Sequence, residues 1–181
     1  METEPTNPSF TIIPAATPAH IAAARALFTA YTDWLNLDLT FQNFASELQS
    51  LPGQYGAPHG ALLLAYSTRP DSAGQALGCI AVRPLPAAKP GSGSAPAGVA
   101  SECCEMKRLF VAPEARGMRL GEALVRAVVR SARELGYREM RLDTLPMMQG
   151  AIALYRRVGF VEIPPYYETP LEGTLFLSLR L

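Results

Sequence analysis

Between the apolar run Met106–Val111 and a long amphipathic helix lies Arg116-Gly117-Met118-Arg119-Leu120-Gly121, and this junction constrains the fold more than any other stretch. The helix is predicted from about Leu120 to Leu135, with Leu120, Leu124, Ala127, Val128 and Leu135 inward and Gly136 as its stop. A strand at Met140–Thr144 and a helix at Ala151–Val158, ended by Gly159, are predicted next. Strand, helix, strand, helix in this order implies a right-handed crossover between two parallel neighbours. At its start the first helix has backbone N–H groups without internal partners, with the positive end of the helix dipole beside them. Two arginines and two glycines there add cationic donors and let the backbone approach a ligand, so the junction reads as a place to hold phosphates.

The rest of the chain frames that crossover. Phe10–Ala15 predicts a first strand, and Thr17 with Pro18 opens a helix on which Ile21, Leu27, Phe28, Tyr31 and Leu35 recur at helical spacing. A second helix is predicted from a Thr40 cap, with Phe41, Phe44, Leu48 and Leu51 on one face and Pro52-Gly53 as its stop. Ala61–Ser67 and Leu77–Leu85 predict a hairpin, Glu105–Val111 the strand before the junction, and Thr174–Leu181 a last strand with alternating leucines. Residues 1–9 are expected to be flexible, and 86–100, rich in Pro, Gly, Ala and Ser, to form a mobile excursion. The class expected is α/β (α+β): a mixed, mostly antiparallel sheet of about six or seven strands with helices on both faces.

At 181 residues and 49% apolar composition, one domain spanning 1–181 is expected. Sixteen basic residues against sixteen acidic ones give no global field to gather nucleic acid or an anionic membrane, so any anion site is local. Cys79, Cys103 and Cys104 are odd in number and far from His20 and His59, which argues against a disulfide framework and a metal site. The polar start and the lack of a run of about 18 apolar residues predict a cytoplasmic protein. Assembly is left between monomer and homodimer.

The run Glu105-Met-Lys-Arg-Leu-Phe-Val-Ala-Pro-Glu-Ala-Arg-Gly-Met-Arg-Leu-Gly-Glu-Ala-Leu124, followed by Ala151-Ile-Ala-Leu-Tyr-Arg-Arg-Val-Gly-Phe160, resembles the GCN5-related N-acetyltransferase (GNAT) superfamily. Upstream, Asp38–Gln42 and Leu51–Gly53 resemble one bacterial-type and fungal-type branch of small acetyltransferases. The resemblance implies acetyl transfer from acetyl-CoA to an amine, on a sheet whose fourth and fifth strands splay apart to admit the pantetheine arm. It implies cofactor contacts at Leu109, Phe110 and Val111, along Arg116, Gly117, Met118, Arg119, Leu120 and Gly121, and at Tyr155, with no metal. Two positions depart from the family pattern. Arg119 replaces a glycine, and serves through its N–H and guanidinium provided its φ is negative. Met148 stands where an asparagine often binds the pantetheine arm, and a methionine cannot donate that bond.

An amine attacks a thioester only when neutral, so an alkylamine of pKa ~10 must first lose its proton. Glu105 is the expected base: its period-two partners are Lys107, Leu109 and Val111, and a central strand otherwise has no reason to carry charge. An N–H of Leu109, Phe110 or Val111, with Val111 favoured, is expected to stabilise the oxyanion, and the Tyr155 phenol to protonate the leaving thiolate. Direct transfer in a ternary complex is expected, because Cys103 and Cys104 have no nearby partner of the Cys/His kind.

The resemblance implies that Gln42, Glu47, Tyr55, Tyr166 and Tyr167 lie in segments that wall the acceptor cleft, and Gln42, Glu105, Lys107, Tyr166 and Tyr167 are the expected acceptor contacts. The expected acceptor is a small amine or amino acid, the alternative a peptide or protein amine. A non-catalytic acyl-CoA sensor is the rival from another class, and a nucleotide-binding enzyme lacks its glycine-rich motifs. Plainer readings stand beside these: a tight turn at the glycines, a packed aromatic at Tyr155, a surface pair at Glu105 and Lys107, a rigid bend at Tyr166-Tyr167.

Overall fold

The computed structural model describes residues 9–36, 43–85 and 102–181. The predicted Thr40 cap, Gln42 and the 86–100 excursion lie outside the described residues. Strand β1 (Phe10–Pro14) leads into helix α1 (Pro18–Leu35), capped at its start by the Thr17 hydroxyl accepting from the His20 N–H at 3.2 Å. Short helix α2 (Phe44–Ser50) follows, then strands β2 (Ala61–Ser67), β3 (Ala76–Pro84) and β4 (Cys103–Val111). Helix α3 (Leu120–Glu134), strand β5 (Glu139–Thr144), helix α4 (Gln149–Val158) and strands β6 (Val161–Ile163) and β7 (Leu175–Arg180) complete the order. One seven-stranded sheet forms, in the order β1-β2-β3-β4-β5-β7-β6, antiparallel except where β4 meets β5.

Both faces of the sheet are covered, which is why β2 reads as an unbroken apolar run. Leu63 and Ala65 join the core beneath α3 and α4, with Leu124, Val128, Met140 and Leu142; Leu62 and Leu64 point the other way, against Ala24, Leu27 and Phe28 of α1. The last strand keeps its predicted alternation, with Leu175, Leu177, Leu179 and Leu181 on the α3 side, but its other face is covered as well. Phe176 is as buried as Leu177, because Tyr166 and Tyr167 stack edge-on against its ring at 5.0 and 5.1 Å.

Two irregularities shape the centre of the sheet. Cys79 pairs with Phe110 but Ala81 with Lys107, so β4 carries one extra residue in a bulge, and Arg108 takes a left-handed φ of 59° there. An extra residue exchanges the faces of everything beyond it. Met106 therefore lies in the core under α3 and α4, whereas Phe110, of the same parity, lies under α1. This corrects the period-two reading: Glu105 and Lys107 do not share a face with Leu109 and Val111, which pack on the α3 side. The second irregularity is that β4 and β5 pair only from Cys103/Glu139 to Glu105/Arg141, after which they diverge.

Candidate active site

Where β4 and β5 separate, a cleft of about 670 Å³ opens, reaching from the loop before α3 to the C-terminal end of α1. Of the residues expected at the cofactor, Leu109, Phe110, Val111, Arg116, Gly117, Arg119, Leu120, Gly121 and Tyr155 line it, and Met118 does not. Lys107 lines it as well. Glu105, Tyr166 and Tyr167 are not on its lining.

Two residues of the loop before α3 lie in the left-handed region. Gly117 has φ of 83° and Arg119 φ of 57°, the latter as N-cap of α3. The condition set on Arg119, a negative φ, is not met, which weakens its expected role at the phosphate: the arginine adopts a conformation that suits glycine, which costs an L-residue about 1–2 kcal/mol. No side chain caps α3, so the N–H groups of Leu120, Gly121 and Glu122, all on the cleft lining, have no acceptor in the helix. A Cβ on Gly121 would stand 3.5 Å from Leu154 and 3.8 Å from Val111, at the cleft floor. The loop also gathers charge around Glu122, whose carboxylate lies 3.4 Å from Arg119, 3.0 Å from Arg126 and 3.8 Å from Arg157.

Deeper in, the strand backbone and a chain of charges meet. The Ala112 N–H donates to the Leu77 carbonyl at 2.9 Å on the β3 side, so by the alternation of a strand the Val111 and Leu109 N–H groups point toward β5, where pairing has ended. Lys107 Nζ lies 3.0 Å from Asp143 Oδ1 and 4.0 Å from Glu105 Oε1, bridging β5 and β4. Asp143 lines the cleft. Glu105 is 2% exposed: its Oε2 accepts from Arg83 Nε and Nη2 at 2.9 and 2.8 Å, and its Oε1 from the Tyr166 hydroxyl at 2.9 Å. Burial, then the charges of Glu105 and Asp143, push the Tyr166 hydroxyl far up, so it remains a donor. Tyr155 is buried edge-on against Phe160 at 5.8 Å, and burial pushes its hydroxyl up too.

On the α1 side of the cleft Glu47, one of the residues offered by the sequence, pairs with Arg108, a partner that sequence reasoning missed. Arg108 Nε and Nη2 donate to Glu47 Oε1 and Oε2 at 2.8 and 2.7 Å, with the Tyr55 hydroxyl donating to Glu47 Oε1 at 3.0 Å. The guanidinium is 3% exposed and lies 5.1 Å from the centroid of Phe44.

Residues 26–160 match the sequence model of the Acetyltransferase (GNAT) family. The chain belongs to the GNAT family of acetyltransferases. It is 40% identical to an uncharacterized N-acetyltransferase of Schizosaccharomyces pombe over 87% of this chain and 86% of that protein. The fold is shared with a Klebsiella pneumoniae protein assigned as an acyl-CoA N-acyltransferase, at 28% identity, TM-score 0.67 and coverage of 97% and 99%. It is shared also with a Salmonella typhimurium protein assigned as an acetyltransferase and solved with acetyl-CoA, at 18% identity, TM-score 0.61 and coverage of 95% and 94%.

In this GNAT enzyme the family asparagine position is apolar: Met148 packs with Leu35, Leu145 and Leu171. The thiols lie off the cleft lining, and burial pushes Cys103 up to about 11 and Cys104 further, so both are protonated at neutral pH and poor nucleophiles. Among the described residues, no group of His, Cys, Asp and Glu is arranged to hold a metal ion, and no helix is long and apolar enough to cross a membrane. The strain at Arg119 is testable. Arg119→Gly in this GNAT protein is expected to leave stability equal or higher by up to about 1 kcal/mol, read from the urea midpoint, because relief of the left-handed conformation outweighs an exposed ion pair.

Proposed function

We propose that this acetyltransferase moves the acetyl group of acetyl-CoA to the amine of a small molecule or amino acid by direct attack in a ternary complex. The supporting observation is one cleft holding, from mouth to floor, an uncapped helix start with Arg116, a strand backbone whose N–H groups face a gap, and the cluster of Asp143, Lys107 and Tyr155. The donors fit the cofactor's chemistry: the free N–H groups of α3 and the Arg116 guanidinium suit a diphosphate, and the gap between β4 and β5 suits an extended amide-bearing arm. Acetyl-CoA supplies the activated thioester.

Two carboxylates line the cleft: Glu122, at the start of α3, is tied to Arg119, Arg126 and Arg157, so Asp143, beside the strand gap, is the one that takes the proton of the acceptor ammonium. Glu105, the base expected from sequence, fills a supporting role in this reading: with Arg83 and Tyr166 it holds Lys107, and Lys107 holds Asp143. The Val111 N–H points to where negative charge develops on the acyl oxygen. Tyr155 keeps its proton through neutral pH and gives it to the departing sulfur. Side chains of Tyr31, Leu35, Arg108 and Leu171 line the end of the cleft where the acceptor would sit.

Calorimetry with acetyl-CoA, followed by thiol release across a panel of small amines, amino acids and peptides, tests this. Binding with turnover of small amines or amino acids is the expected result. Turnover of peptides alone would overturn the acceptor class, and absence of acetyl-CoA binding would overturn the site.

A further inference from the structure

Trp34, the single tryptophan of the chain, is 51% exposed on the last turn of α1 and lines the mouth of the cleft. A ring of this size left half open forfeits much of the gain its burial would bring. Its contact is with the loop across the cleft: the Arg116 guanidinium carbon lies 5.2 Å from the ring centroid.

The other cations lining the cleft are each matched by a carboxylate. Lys107 pairs with Asp143, Arg108 with Glu47, and Arg119 and Arg157 with Glu122. Arg116 differs. Among the described residues it has no ion pair, and the indole face is what holds it. A carboxylate would fix a guanidinium more firmly but would neutralise it, whereas an aromatic face attracts the cation through its quadrupole and leaves the charge available to an anion. A long arginine that is already held also surrenders less rotamer freedom when a ligand arrives.

We propose that Trp34 is a positioning residue for cofactor binding: its ring holds Arg116 in place, still fully charged, over the loop that receives the diphosphate of acetyl-CoA. This rests on the phosphate reading of that loop. Trp34 acts through Arg116 and touches none of the reacting atoms.

A double-mutant cycle on the full chain, with CoA titrated by calorimetry, tests the coupling. Trp34→Leu is expected to weaken CoA by about two- to fivefold, the range of an exposed cation–π contact, and Trp34→Phe, which retains a ring, by less. In an Arg116→Gln background the same Trp34→Leu change is expected to have no effect, a silence that a merely structural role would not produce. The loss should appear in KM for acetyl-CoA rather than in kcat. If Trp34→Leu leaves affinity unchanged, or lowers it equally in both backgrounds, Trp34 does not position Arg116. If Arg116→Gln alone leaves CoA affinity intact, the loop reading itself fails, a result separable from the first.

Discussion

Asp143→Asn is expected to lower turnover by about 10²–10⁴-fold while acetyl-CoA affinity is retained, the range associated with loss of a positioned general base. Asparagine keeps the shape of the side chain and accepts from Lys107 through its carbonyl oxygen, but it cannot take a proton from an ammonium. The pH profile adds a second signature. An alkylamine acceptor of pKa ~10 supplies its own neutral form as the solution becomes alkaline, so the deficit of the variant should shrink with rising pH. Glu105→Gln separates the two carboxylates: a supporting role predicts a smaller loss, transmitted through Lys107, than Asp143→Asn produces. A larger loss at Glu105 with near-normal rates at Asp143 would return the base to β4. Initial rates of thiol release, taken well below each variant's melting point, decide it.

Arg108→Ala should lower stability by about 3–5 kcal/mol, because it strands the Glu47 carboxylate in a largely buried site with only the Tyr55 hydroxyl left to it. For a domain of this size that is a fall of roughly 6–20 °C in melting midpoint. The pair itself contributes less than this, since removing both charges together is often nearly neutral; Arg108→Met with Glu47→Leu should recover much of the loss. The pH dependence follows from Glu47. Burial acts to raise its carboxyl pKa, but the hydrogen bonds and charge of Arg108, with the Tyr55 hydroxyl, outweigh burial and hold it below the ordinary carboxylate value. A depressed folded pKa gives stability that is whole above the unfolded value of ~4.3 and is lost as pH falls through the lower folded one. Urea unfolding at a series of acidic pH values should therefore show a steeper decline for the native chain than for Arg108→Ala.

The elements legible in the sequence were those whose signal is local. Leu120, Leu124 and Val128 recur with the period of a helix that buries one face, and Leu62–Ala65 forms an apolar run because both faces of β2 are covered. The strand β6, three residues long, has no period to detect. The bulge was hidden for another reason: an arginine is a poor candidate for a left-handed conformation, and the extra residue is defined only by the register against β3. Without the bulge, parity places Glu105, Leu109 and Val111 on one face, which made Glu105 look nearer the cleft than it is. Asp143 alternates with the buried Leu142 and Thr144 and so reads as the polar side of an ordinary strand; it opens on a cleft because pairing with β4 stops at Arg141. Glu47 lies 61 residues from Arg108, and nothing in α2 alone announces a partner.

Because only three residue pairs join β4 to β5, the sheet is two leaves on a short spine: β1 to β4 on one side, β5, β7 and β6 on the other. In the proposed reading, a molecule lodged between the leaves would supply rungs that the backbone ladder lacks, so occupancy and cohesion would become one quantity. At a hundred times its dissociation constant such a ligand adds about 2.7 kcal/mol to the folded state. The enzyme would then be sturdiest in cells rich in its donor and loosest when the donor is scarce, and its melting temperature would serve as a gauge of how full the wedge is.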